Sequence, residues 1–93
     1  MARAVWNGIE IAKGDTVVVE GNHYFPPDSV DWDRLQATEA TSRCFWKGKA
    51  QYFSVEGDGL IADNAAWQYR DPWPLARRLR GHVAFWRGVE VDG

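Results

Sequence analysis

One eight-residue unit stands near each end of this chain. Ala4-Val5-Trp6-Asn7-Gly8-Ile9-Glu10-Ile11 is matched by Ala84-Phe85-Trp86-Arg87-Gly88-Val89-Glu90-Val91, with Ala, Trp, Gly and Glu in equivalent places. Asn-Gly between strand formers supplies the positive φ angles of a type I′ turn, so the first copy reads as a two-residue β-hairpin. The second copy is expected to be another hairpin in the same sheet system. Two copies are too few for a solenoid, which needs about three or more stacked units.

The sequence between them continues in the same style. Lys13-Gly14-Asp15 is a turn, and residues 16–20 are a β-branched run suited to a strand, which Gly21-Asn22 interrupts. His23-Tyr24-Phe25 runs into Pro26-Pro27, which removes two ladder donors and marks a strand end or edge. Residues 28–34 have room for one helical turn, while residues 35–43 are polar and fit either a strand or an irregular crossing. In residues 48–56, Tyr52 and Ser54 point one way and Gln51, Phe53 and Val55 the other, before Gly57-Asp58-Gly59 turns the chain. Leu60-Ile61-Ala62 pairs back, and Ala65, Trp67 and Tyr69 share a face of the strand that follows. Asp71-Pro72-Trp73-Pro74 predicts one short helix with Asp71 as its cap, Leu75, Ala76 and Leu79 facing inward, and Gly81 as its stop.

With 93 residues the chain is expected to be a single domain over 1–93. Eleven Lys and Arg against 13 Asp and Glu give a net charge of -2, which removes the broad basic field of a non-specific nucleic-acid binder. The longest apolar runs are far too short for a membrane span or a signal-peptide core, which points to a soluble, cytoplasmic protein without a membrane partner. The single cysteine, Cys44, can form neither an intrachain disulfide nor a multi-cysteine zinc site. The unusual feature is six Trp, joined by three Tyr and four Phe. Each buried indole N–H needs a partner, so some of these rings are expected to line a groove or cavity.

Five motifs taken together resemble a bacterial family, domain-of-unknown-function family 427, some of whose members carry a nucleotidyltransferase-like label. They are Ala4-Val5-Trp6-Asn7-Gly8, the run from Val17-Val18-Val19-Glu20-Gly21 through Asn22-His23-Tyr24-Phe25-Pro26-Pro27, Cys44-Phe45-Trp46-Lys47-Gly48, Asn64-Ala65-Ala66-Trp67, and Val83-Ala84-Phe85-Trp86. The family pattern has Pro where this chain has Phe45. The resemblance implies a mainly β, small antiparallel bent-sheet domain of the β-tent type, and with the Asp71 segment the expectation is that fold plus one short C-terminal helix. Relatives of the β-tent often carry a zinc knuckle of paired cysteines, which one cysteine cannot make.

Three side chains are candidates for chemistry. Cys44 and Lys47 flank Trp46, so the thiol has a cation close by, and Lys47 is one of only three lysines. His23 offers a base or donor near neutral pH, and a Cys44–His23 nucleophilic pair needs only that the two meet in space. The plain alternatives are a buried inert Cys, a solvated Lys and a His packed at a strand end. His23 and His82 with Asp63 or Glu20 lack metal-ligand spacing, so neither metal nor cofactor is implied. No phosphate-loop motif and no closely spaced Asp pair supports the nucleotidyltransferase label. Arg77, Arg78 and Arg80 read as a solvated face.

The leading expectation is a small-molecule pocket. Tyr24, Trp46, Trp67, Tyr69 and Trp86 would supply its walls and His23, Lys47 and Asn64 its polar groups, for a planar or aromatic, anionic ligand. An enzyme built there would run cofactor-independent acid–base chemistry, with Lys47 or His23 moving a proton. A protein-interaction module using exposed Trp is the competing class, and a homodimer is compatible with either.

Overall fold

The computed structural model describes all 93 residues, Met1–Gly93. Nine strands run in chain order: β1 (Ala2–Trp6), β2 (Ile9–Gly14), β3 (Val17–Val19), β4 (Asn22–Tyr24), β5 (Leu35–Cys44), β6 (Gly48–Gly57), β7 (Leu60–Gln68), β8 (Val83–Phe85) and β9 (Glu90–Asp92). They form three antiparallel sheets, ordered β2-β1-β9, β3-β4 and β5-β6-β7-β8, so the protein is mainly β. No helix is long and apolar enough to cross a membrane.

Four dipeptides set the turns. Asn7-Gly8, Glu20-Gly21, Asp58-Gly59 and Arg87-Gly88 all have positive φ at both residues, between 51° and 99°, as a type I′ turn demands. The first three close two-residue hairpins, with Trp6 opposite Ile9, Val19 opposite Asn22 and Gly57 opposite Leu60. The fourth departs from the expectation of a second terminal hairpin. Its turn forms, with the Val89 amide donating to the Trp86 carbonyl at 3.2 Å, yet β8 pairs with β7 while β9 pairs with β1. All three β8 residues are buried, whereas Glu90 and Asp92 of β9 are exposed. A strand apolar on both faces belongs inside a layered core and one with polar outward residues belongs at a surface, so the two part after the turn.

The helix expected after Asp71 is also corrected. Residues Pro74–Leu79 form two short 3₁₀ turns that meet at a kink at Ala76, capped by Trp73 without a side-chain bond, and Leu75 points to solvent. Asp71 pairs with Arg80 instead, at 3.0 Å. Proline at the first position is compatible with a helix, but the six residues Pro74–Leu79 are too few to repay the cost of nucleating α-helical turns. The polar run at 35–43 is strand, bulged between Ala37 and Thr41.

The β5–β8 sheet carries apolar side chains on both faces. Phe53, Ala66 and Phe85 are opposite one another and join Ala2, Ala4, Ile11 and Phe25 in the larger core. Tyr52, Trp67 and Ala84, one residue along, face the other way onto a smaller core with Val19, Tyr24, Tyr69 and Leu79. The β1–β2 turn docks on the β6–β7 turn: Trp6 Nε1 donates to the Leu60 carbonyl at 3.0 Å and Asn7 Nδ2 to the Gly57 carbonyl at 2.9 Å. A Cβ on Gly57 would stand 2.8 Å from the Trp6 carbonyl oxygen and 2.9 Å from Trp6 Cδ1. Gly57→Ala is therefore expected to push the two turns apart and cost about 1–3 kcal/mol in urea melts, with exposed Gln36→Ala neutral as the control. Parental stability in Gly57→Ala would show that this docking is not tight.

Candidate functional site

Trp67 and Tyr52 are directly opposite on β7 and β6, and Tyr69 follows two residues on, so strand alternation alone puts the three on one face. The β3–β4 hairpin brings Tyr24 over that face, where its ring meets Trp67 edge-on at 6.2 Å and Tyr69 at 6.4 Å. Trp67 Nε1 donates to Tyr24 Oη at 3.3 Å. Trp86, at the turn after β8, meets Trp67 edge-on at 5.5 Å and Tyr52 at 6.3 Å. The rings enclose a shallow, open depression of about 170 Å³ with Asn22 and Lys47 at its edge.

Lys47 comes from the three-residue loop Phe45-Trp46-Lys47 between the paired residues Cys44 and Gly48. Its side chain turns inward and is buried, with Nζ 5.1 Å from the Trp46 ring centre and 5.7 Å from that of Tyr69. The ammonium bonds to the carboxylate of Glu20, whose own side chain is about half exposed. Glu20 holds a positive φ of 54° that Asn or Asp would accept more readily, so its presence in the turn is matched by its contact with Lys47. Arg87, the other turn residue of this kind, lies over Trp86 at 4.3 Å.

These contacts decide the charge states. The Lys47 hydrogen bond holds the Glu20 carboxyl below its ordinary range. Burial works against the charge of Lys47, but the Glu20 hydrogen bond and the neighbouring Tyr24 and Cys44 outweigh it and raise its pKa. Burial pushes the Tyr24 phenol up despite the bond from Trp67, and pushes Tyr69 up further with Tyr24 and Cys44 adding to the effect. At neutral pH the depression therefore presents an ammonium, a carboxylate and two protonated phenols. A lysine so stabilised as a cation suits anion binding better than proton abstraction.

The expected site residues are divided by this geometry. Tyr24, Lys47, Trp67, Tyr69 and Trp86 converge on the depression. Cys44 and Trp46 pack beside it against the smaller core. Asn64 sits next door, at a positive φ of 51° where a bulge interrupts the β6–β7 pairing. Its side chain accepts from Thr38 Oγ1 at 2.7 Å, and its carbonyl accepts from Trp86 Nε1 at 2.7 Å, so it orients the Trp86 ring. A second depression of about 230 Å³, bordered by Asn64 and Arg87, shares Tyr52 and Trp86 with the first. His23 is placed elsewhere: it alternates with Tyr24 along β4, and its Nδ1 is engaged by Thr16 Oγ1 at 2.7 Å, beside Gly93. No group of three or more His, Cys, Asp and Glu side chains comes together.

Sequence reasoning passed over Glu20 and Tyr52 as members of this site. The signal for Tyr52 was its alternation against Phe53. For Glu20 it was a residue ill-suited to left-handed backbone standing directly before Gly in a hairpin turn.

A family model described as a domain of unknown function (DUF427), with the label NTP_transf_9, matches residues 1–93. No curated protein matches the sequence.

Proposed function

Starting from the fact that the chain belongs to the DUF427 family, whose description assigns no activity, we propose that the ring-lined depression binds a planar small molecule carrying an anionic group. The anion takes the place of Glu20 at Lys47, and the ring lies among Tyr24, Trp67 and Trp86. One observation carries this reading: Lys47 is buried among aromatic rings, while its counter-ion is an exposed turn residue that can swing away. The depression is smaller than the roughly 300–1,000 Å³ of most ligand sites, which limits its ligand to a small, partly exposed molecule. The nucleotidyltransferase reading finds no cluster of carboxylates to hold a metal pair.

Titration with arene carboxylates is expected to quench Trp fluorescence saturably, because stacking places the ligand against indole. Lys47→Met keeps the buried stem and removes the charge, and should weaken binding roughly 10- to 150-fold, the equivalent of a charge-assisted hydrogen bond of about 1.5–3 kcal/mol. Glu20→Gln should act in the opposite direction, tightening binding by removing the competitor for Lys47. A quench that never saturates, or Lys47→Met binding as well as the parent, defeats the proposal in favour of protein docking through exposed rings such as Phe45, which is 89% exposed.

A further inference from the structure

The face of the β5–β8 sheet remote from Lys47 bears a row of cations without counter-ions. Arg43 and Lys49 are directly opposite in the β5–β6 register and so project from the same face. Lys49 and Arg70 line one depression of about 160 Å³ together with Gln51 and Asp71. Like charges directly opposite destabilise a sheet, and a cross-strand acid would relieve them. No acid answers here. The protein's ion pairs use Arg3, Arg34, Lys47 and Arg80, and Asp71, the one carboxylate at this depression, is held by Arg80 at 3.0 Å. Arg70 has only a long contact, 3.5 Å, to Gln51 Oε1.

Beside this row lies a second depression of about 280 Å³ that shares Gln51 and Arg70 and is walled by Trp32 and Phe53. Trp32 is held in place by its Nε1 bond to the Pro27 carbonyl at 2.8 Å and by edge-on packing against Phe53 at 5.6 Å, yet it stays 38% exposed. A fixed, accessible ring next to unpaired guanidinium and ammonium groups offers stacking and forked anion contacts at once. Lys49 and Gln51 are two residues apart on one strand, so the charged end and the ring end are separated by roughly 7 Å, a length an aryl group and its phosphate ester can cover.

We propose that this face is a second binding site, for a phosphate monoester carrying a flat ring, with Arg43, Lys49 and Arg70 on the phosphate and Trp32 against the ring. Two arginines and a lysine match a doubly charged oxyanion better than a single carboxylate. The site is on the opposite face of the sheet from the Lys47 depression and does not depend on it.

The test is an NMR titration of the whole chain with 1-naphthyl phosphate, with inorganic phosphate run in parallel. Saturable shifts are expected at the side-chain amides of Gln51 and Gln68, both of which line the Trp32 depression, and at the Trp32 indole, with a Kd below about 10 mM. The Lys49→Gln/Arg70→Gln double variant should bind about tenfold more weakly or worse, while Arg77→Gln/Arg78→Gln, with the same net charge, should bind as the parent does. Trp32→Leu should erase the preference for the naphthyl ester over phosphate. All these positions are exposed, so each variant should keep the parental spectrum elsewhere. The proposal is overturned by absence of saturation, by equal losses in the two double variants, by inorganic phosphate binding as tightly as the ester, or by shifts confined to Trp67 and Trp86.

Discussion

Phe25→Ala is expected to leave the protein close to unfolding. Phe25 is fully buried, its ring meets Phe85 edge-on at 5.6 Å, and its backbone exchanges both hydrogen bonds with Val83, at 2.8 and 2.9 Å. It stands just after β4, pairs with the edge strand β8, and packs in the core that includes Ala2, Ala4 and Ile11 of the β2-β1-β9 sheet. One ring thus ties all three sheets together. Truncating a buried Phe costs about 3–5 kcal/mol, against a total stability of roughly 5–15 kcal/mol for a domain. The alanines around it cannot move in to fill the void, because they are short and fixed in their strands. Phe25→Leu, which keeps most of the volume, should retain a cooperative urea transition. A Phe25→Ala midpoint near that of the parent would mean that the sheets are held together elsewhere.

The second large effect is an early loss of stability in alkali. Tyr24 and Tyr69 have folded-state pKa values raised above the unfolded value of about 10, chiefly by burial. Above that pH the unfolded chain releases the phenolic protons and the folded chain retains them, so unfolding is favoured increasingly as pH rises. The slope approaches at most about 1.4 kcal/mol per pH unit for each tyrosine. Lys47 adds to the same limb: its raised pKa contributes stability that is complete below the unfolded value and is lost as pH climbs through the folded one. Glu20 works at the other end, where its lowered pKa contributes stability that fades as pH falls through the folded value. Urea midpoints between about pH 8 and 11.5 should therefore fall steeply past about pH 10, and Tyr69→Phe should flatten the fall. A Tyr69→Phe limb as steep as the parental one would contradict the burial of that phenol as the cause.

Much of this molecule is local and could be read directly. A positive-φ turn is encoded by two residues, so Asn7-Gly8 and Asp58-Gly59 announce their hairpins and Gly81 the end of the segment before β8. Strand alternation is equally local, and it separates Phe53 from Tyr52 and groups Trp67 with Tyr69 before any fold is known. The residues that resembled DUF427 identified the family over the whole chain.

Partnership is another matter, because it depends on which surfaces remain to be covered. Arg87-Gly88 makes the same turn as Asn7-Gly8, yet β8 leaves for one sheet and β9 for another, since β8 is apolar on both sides and β9 is not. His23 is adjacent to Tyr24 in sequence, and that adjacency is what sends it to the other side of its hairpin, away from Lys47. Glu20 and Lys47 are 27 residues apart and meet only because the β3–β4 hairpin folds across the β5–β8 sheet. The row of Arg43, Lys49 and Arg70 likewise exists only through strand register, which sets three separate surface charges side by side. Backbone conformation follows from neighbouring residues; ion pairs, ring clusters and charge rows follow from the register and layering that burial of the apolar faces imposes.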